Sequence, residues 1–353
     1  MKYYVLFYSL FFVVKLFSQD IHFSQFNENP SLVNPAITAA NDVLRASVIN
    51  RNQWRGVTNA YKTFGASIEM KLKGSNWEQV DKYRSMTFKQ KSLSRLSAGL
   101  SFYNDKAGDG NMGITQVNLS LATFVPLNNK NSISLGLQGS LVQRKIDYDK
   151  LLFPSQYDGV TYDASLLNGE NTNSNKFIYP DLSAGIAWTY SSSEKRIASN
   201  DQVKANVGVS TYHITQPRFG YLKETNSRLL MKYILHGNFL IDIPNSNIGI
   251  APSYLVQLQG SSKEIVVGTL VKYYIHSNTK YTGLIKQSSF SIGGYYRNND
   301  AVIVSALLEW EQYALCFSYD INTSTLSKVS KTKGGMEVSL RFSTAKAFLY
   351  QKR

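Results

Sequence analysis

The chain runs to 353 residues with a hydrophobic fraction of 43% and a mean hydropathy of -0.22. Only one apolar run approaches spanning length, at the N-terminus, which argues against a helical membrane protein. Its 38 Lys and Arg outweigh 24 Asp and Glu for a formal charge of +14; that excess fits lipid phosphates or acidic protein partners, and basic residues scattered through loops without a binding motif argue against nucleic acid.

Met1 to Ser18 reads as a secretory leader (1–18). Lys2 opens it, Tyr3 to Val14 form an apolar block, and Ser18 precedes Gln19 as the cleavage point. Lys15 interrupts the block, and a retained signal anchor is the alternative. Loss of Lys2 and Lys15 with the leader takes the charge from +14 to +12. Residues 19–42 show no period and hold Asn29-Pro30 and Asn34-Pro35, both biased to extended or turn geometry. They are expected to form an ordered periplasmic or lumenal arm.

From residue 43 to 343 one kind of text repeats. In Ser132 to Leu141 the positions Ile133, Leu135, Leu137 and Leu141 are apolar while Ser132, Ser134, Gly136, Gln138 and Ser140 are small or polar. Successive strand side chains point to opposite faces, so this is a strand with one greasy and one wet face. The same alternation returns in Val43–Asn50, Thr63–Leu72, Ser94–Asn104, Ile114–Val125, Leu182–Tyr190, Val203–Tyr212, Leu230–Asp242, Ile248–Gln259, Ile265–His276, Ser289–Arg297, Ala301–Trp310, Tyr313–Ile321 and Gly335–Phe342. The fold class expected is all-β, a transmembrane antiparallel up-and-down β-barrel of about fourteen strands. An even number puts both termini on the periplasmic side. Tyrosine in excess, 23 against 18 Phe and 4 Trp, suits membrane-water girdles, with an aromatic core as the alternative.

Between the strands, Gln53-Trp54-Arg55-Gly56 reads as a turn. Lys73 to Lys91, with Trp77 and Tyr83, is too long for a minimal hairpin, and Asp149 to Phe177 is a long loop expected to be extracellular. The strand that begins at Ser132 is expected to continue through Tyr148. Pro252 demotes its strand toward an edge or a bulge. Residues 344–353 form a tail beyond the last strand.

Sites of chemistry are sparse. Gly108, Gly110 and Gly113 spell a nominal G-x-G-x-x-G, but a strand follows where a dinucleotide site needs a helix, so they read as turn residues. Asp105 and Asp109 lack the closing acid of a calcium loop. His22, His213, His236 and His276 stand apart without spaced ligand partners, and neither G-x-S-x-G nor H-E-x-x-H occurs. Cys316 is the only cysteine and reads as a small strand filler, which excludes an intramolecular disulfide framework. No catalytic residue, cofactor or metal is expected. Gln138, Gln257 and Asp320 read as solvating a lumen or bonding an internal plug.

Several phrases together resemble one family. Gln19-Asp20-Ile21-His22-Phe23-Ser24-Gln25-Phe26 followed by Asn34-Pro35-Ala36, then Arg51-Asn52-Gln53-Trp54, then Asn104 to Asn111, is the first set. Tyr212 to Pro217, Gly294 to Ala301, Ser318 to Ser324 and Gly334 to Leu340 complete it in order. The chain is similar to the PorP/SprF family of type IX secretion system membrane proteins over nearly its whole length after the leader. One departure is the tail, which runs past the last strand instead of ending on an aromatic residue.

That resemblance implies an outer-membrane component assisting export or surface attachment of cargo, such as gliding adhesins, by protein-protein recognition. The implied partners are a secreted cargo protein or its C-terminal domain, periplasmic or lipoprotein secretion components, and outer-membrane lipid. The residues singled out for partner binding, or for fixing the arm or a turn, are His22, Gln25, Asn34, Arg51, Gln53, Trp54, Asp320 and Asn322. Two other classes stay open at this point: a passive porin for small solutes and a soluble exported β-sandwich.

Overall fold

The structure, a computed structural model, describes residues 23–54, 59–72, 95–128, 130–163, 165–169, 175–192, 202–221, 227–276, 288–324 and 332–344. The leader, His22, Arg55-Gly56, the Lys73 to Lys91 loop and the tail beyond Thr344 lie outside the described residues.

Fourteen antiparallel strands follow one another: β1 Leu44–Gln53, β2 Tyr61–Lys71, β3 Leu96–Ala107, β4 Met112–Pro126, β5 Asn131–Lys145, β6 Lys176–Ser191, β7 Val203–Tyr212, β8 Lys232–Asp242, β9 Ile248–Gln259, β10 Ser262–His276, β11 Ser288–Arg297, β12 Ala301–Trp310, β13 Tyr313–Asn322 and β14 Lys333–Thr344. Each pairs with its neighbours in sequence, and β1 closes on β14, Leu44 opposite Thr344. The sheet is one closed ring rather than two stacked layers, which removes the sandwich. Closure satisfies the backbone of every strand without an edge, as a hydrocarbon surrounding demands.

The alternation is inverted relative to a soluble protein. In β5, Leu135, Leu137 and Leu141 face outward and are exposed at 51%, 68% and 61%, while Ser134, Gln138 and Ser140 are buried inside. Leu100, Leu119 and Leu182 repeat the pattern outside, with Ser101, Asn118 and Ser183 inside. Apolar side chains turned outward over a whole ring fit a lipid solvent.

Beyond shifts of one to three residues at other strand ends, the structure departs from expectation at β1, β5, β6 and Pro252. β1 carries through Arg51 and Gln53, and β6 starts at Lys176, six residues early, taking Pro180 into the sheet. β5 stops at Lys145, and Tyr148 opens a short 3-10 turn. Pro252 lies on no edge and makes no bulge: β9 pairs on both sides, and the β8 ladder skips Pro252 and Ala251 but resumes in the same register from Asn238–Ser253 to Ile241–Ile250. A ring with neighbours everywhere tolerates one missing N–H by a local gap.

Call the end that holds Leu44 and Thr344 the near end. Connections at the two ends do not sort into short and long: residues 146–175 link β5 to β6 at the far end, and 72–95 link β2 to β3 at the near end.

Candidate functional site

The lumen of the barrel is occupied by its own N-terminal arm. From Phe23 to Ala40 no residue is exposed. The segment folds as three short 3-10 turns, Phe26–Glu28, Pro30–Leu32 and Pro35–Ile37. Proline opens the last two, where its missing N–H costs nothing. The Asn34 side chain caps the third by accepting from the Ala36 N–H at 2.9 Å.

Three locks hold the arm. The first lies toward the far end and centres on the Ser24 hydroxyl. It donates to Asp320 at 2.8 Å and accepts from Arg51 at 2.8 Å and from Arg297 at 2.6 Å, so its one proton and two lone pairs are all used. The Glu337 carboxylate accepts the backbone N–H groups of Ser24 and Gln25 at 2.6 and 2.9 Å, and also pairs with Arg51. Arg51 and Arg297 each bond Asp320, at 3.2 and 3.1 Å, and Arg297 also reaches Asp300 and Glu264. The Gln25 amide donates to Ser318 at 3.0 Å and accepts from Ser339 at 2.6 Å. Charges this deeply buried are costly unless paired, and each carboxylate of the cluster faces a guanidinium, the Glu264–Arg297 contact as an ion pair at 3.5 Å.

The second lock is at mid-height. Asn34 donates to the Ile186 and Val209 carbonyls at 3.1 and 3.2 Å and meets His236 Nε2 at 3.0 Å. Glycines on three adjacent strands make room for it. A Cβ at Gly136 would lie 2.2 Å from the Ala36 nitrogen; one at Gly185 would lie 2.0 Å from Asn34 Oδ1; one at Gly208 would lie 2.6 Å from Asn34 Nδ2. The third lock is nearer the near end: Glu28 takes both oxygens to Arg341 at 3.0 Å, Arg45 donates to the Glu28 carbonyl at 2.8 Å, and Glu69 accepts the Ala39 N–H at 2.8 Å.

One stretch of the inner wall is apolar. Ile234, Leu255, Val266, Leu270 and Ile303 are buried inward and receive Phe26 and Val33 from the arm. Phe26 meets Tyr295 edge-on with ring centroids 5.9 Å apart, a favoured aromatic geometry.

The course of the arm changes the expected layout of the ends. β1 and β14 do start and stop together at the near end, but Ser24 binds residues close to the far ends of β1, β11 and β13. The described chain thus begins toward the far end and descends through the lumen before entering β1.

A family model described as type IX secretion system membrane protein PorP/SprF matches residues 15–342. The chain belongs to the PorP/SprF family. That family is one of secretion-system membrane proteins, not of enzymes. No curated protein matches the chain. Among solved structures, the chain is similar to BamA from Haemophilus ducreyi lacking POTRA domains 1–3, at 9% identity over 86% of this chain and 71% of that one, TM-score 0.39. It is similar to CdiB from Acinetobacter baumannii at 6% identity over 85% of this chain and 60% of that one, TM-score 0.39. It is similar to the translocator domain of the autotransporter NalP from Neisseria meningitidis at 10% identity over 85% and 87%, TM-score 0.32.

Within this PorP/SprF barrel, Gln25, Arg51 and Asp320 converge around Ser24, and Gln53 joins them by accepting from Arg51 Nε at 3.2 Å. Asn322 is buried two residues beyond Asp320 on the same face of β13. Asn34 forms a separate lock, and Trp54 sits at the far end of β1, its backbone N–H donating to the Gly334 carbonyl and its ring centroid 4.8 Å from that of Tyr61. Asp320 faces the lumen by the unbroken alternation of β13, which buries Ala314, Cys316, Ser318, Asp320 and Asn322 on one side. Ser24, Arg297 and Glu337 stand in the family phrases without being singled out from them, and Glu28, Glu69 and Arg341 stand in none. For Arg297, Glu337 and Arg341 the signal is a charged residue at an inward position of a strand with a partner of opposite sign on another strand; Ser24 and Glu28 lie in the arm, which has no strand period. Among the described residues no group of His, Cys, Asp and Glu is placed to hold a metal ion.

Proposed function

We propose that the protein is an outer-membrane component of the type IX secretion system that assists export or surface attachment of cargo, gliding adhesins among them, by recognition rather than by conduction. The observation that carries this reading is the arm: a lumen threaded by residues 23–40 and locked at three heights suits a rigid scaffold and not an open pore. Secreted cargo or its C-terminal domain is the partner on the outside, and periplasmic or lipoprotein components are the partners at the near end.

The loop from 146 to 175 supports recognition at the far end. Gln156 is buried within it, donating to the Leu166 carbonyl at 2.9 Å and accepting from the Tyr162 hydroxyl at 2.7 Å. Asp158 accepts the Val160 and Thr161 N–H groups at 2.8 and 2.6 Å. A loop ordered by its own hydrogen bonds nevertheless leaves Leu152, Val160 and Leu167 bare at 74%, 83% and 91%. Exposed apolar side chains on a preorganised loop are what a protein contact uses. Deleting the gene is expected to remove at least one type IX cargo from the cell surface, and V160D/L167D to do the same with the barrel still in the outer membrane; every cargo remaining at the surface after deletion contradicts the reading.

A further inference from the structure

The pairing register sets four lysines in one outward row at the far end. Lys62 on β2 is directly opposite Lys106 on β3; Lys106 faces Gly113 on β4; Gly113 faces Lys145 on β5; and Lys145 faces Lys176 on β6. All four lysines are exposed, and none forms an ion pair with a described residue. Like charges directly opposite across strands repel, and the row contains two such pairs in succession. Five strands at a spacing of about 4.8 Å make the row about 19 Å long. At its centre Gly113 has no side chain, which leaves a notch between Lys106 and Lys145.

The rows beneath state what the lysines face. Two residues down, the outward positions are Phe64, Asn104, Thr115, Gln143 and Ile178. Two further down they are Ala66, Phe102, Val117, Leu141 and Pro180, then Ile68, Leu100, Leu119, Gly139 and Leu182. Charge gives way to a mixed row and then to hydrocarbon-facing residues, the order of a headgroup layer over an acyl layer. Toward the near end of the same strands no such row recurs: the outward positions run from Leu96, Thr123, Leu135 and Ile186 to Val125, Ile133 and Trp188.

We propose that this lysine row is a binding site for a lipid whose headgroup carries phosphate, seated on the outer wall of β2 to β6 at the far-end leaflet. Phosphate oxygens bridge the facing ammonium groups and cancel their repulsion, the notch at Gly113 admits the headgroup, and the apolar rows beneath take the acyl chains. The acyl contact commits the site to a membrane lipid rather than to free phosphate.

The test is native mass spectrometry of the full-length protein released from mixed micelles holding phosphatidic acid and phosphatidylcholine at equal mole fraction. Wild type is expected to keep phosphatidic acid in preference, and K62Q/K106Q and K145Q/K176Q each to lower its share about tenfold. K130Q/K263Q removes the same charge away from the row and is expected to bind as wild type, as is K62R/K106R, which keeps the charge. Excess inorganic phosphate is expected to leave the bound lipid in place. Undiminished lipid in both Gln pairs, an equal loss in K130Q/K263Q, or displacement by inorganic phosphate overturns the proposal. Heat-dependent gel migration checks that each variant is a folded barrel, and a Gln pair that does not fold is replaced by its single substitutions under the same criteria.

Discussion

At the Ser24 hydroxyl three strands and the arm meet through one atom. Removing it in S24A strands a carboxylate oxygen and two guanidinium donors inside the barrel, and an unsatisfied buried group costs more than the bond itself was worth. S24A is expected to lower stability by about 2 kcal/mol, read as a shift in the urea midpoint of the protein in detergent. Breaking the Arg51–Glu337 pair on one side leaves an uncompensated charge and is expected to cost more, about 3–5 kcal/mol for R51A. The R51A/E337A double variant should recover part of that loss. Additive losses in that cycle would mean that the two side chains do not act as a pair. Of this cluster, the family phrases contain Ser24, Gln25, Arg51, Arg297, Asp320 and Glu337, of which the sequence reading singled out Gln25, Arg51 and Asp320. Arg297 and Arg341 could have been found by physics instead, as inward charges on strands whose neighbours at those positions are small and polar.

The strands were the most legible elements, since period-2 text over fourteen repeats reads as strand whether the fold is a barrel or a sandwich; which face is outward came from closure of the ring. Val203–Tyr212, Ile248–Gln259 and Ala301–Trp310 have the bounds their alternation suggests. β1 runs longer than its apolar residues because pairing continues through Arg51, Asn52 and Gln53, polar on both faces, and β6 starts early because Ile178 and Pro180 outside and Phe177 and Tyr179 inside leave both faces apolar or aromatic; in both places the alternation falls silent. The arm was legible as an ordered segment, periplasmic or lumenal, with a plug as one of two readings of the inward polar residues. What betrays the plug is a pair of anomalies on the inner face: glycines at 136, 185 and 208, and the apolar residues Ile234, Leu255, Val266 and Ile303 where a water-filled lumen would carry polar ones. G136L and G185L are therefore expected to leave strand content by circular dichroism unchanged while expelling Asn34 to Ala36, so that added protease cuts within residues 23–42. An arm as resistant as in wild type would contradict the slot. In the 146–175 loop the Asp158 carboxyl is held below its usual range by the backbone N–H groups of Thr161 and Val160. A lowered pKa stabilises the folded loop at all higher pH and the effect is lost as pH falls through that lowered value. Amide exchange at Val160 and Thr161 is thus expected to stay slow at neutral pH and to lose protection only in acid below the ordinary carboxylate range; loss of protection between pH 5 and 7 would count against the turn.

For the whole molecule, closure, inversion and the plug belong together. A ring with its apolar side outward needs a polar interior, and a polar interior of this width needs either water or something that satisfies it. Here the same chain supplies the filling, with Glu28, Ser24, Gln25 and Asn34 each placed against wall residues of matching chemistry. A barrel so filled is stiff, and stiffness is what loops need if they are to hold a partner in a fixed orientation. The direct measurement is single-channel recording of the full-length protein in planar bilayers, beside a variant lacking residues 23–40. The full chain is expected to give no steady conductance and the shortened one, if it inserts, discrete openings; steady ohmic conductance from the intact chain would contradict a barrel closed by its own arm.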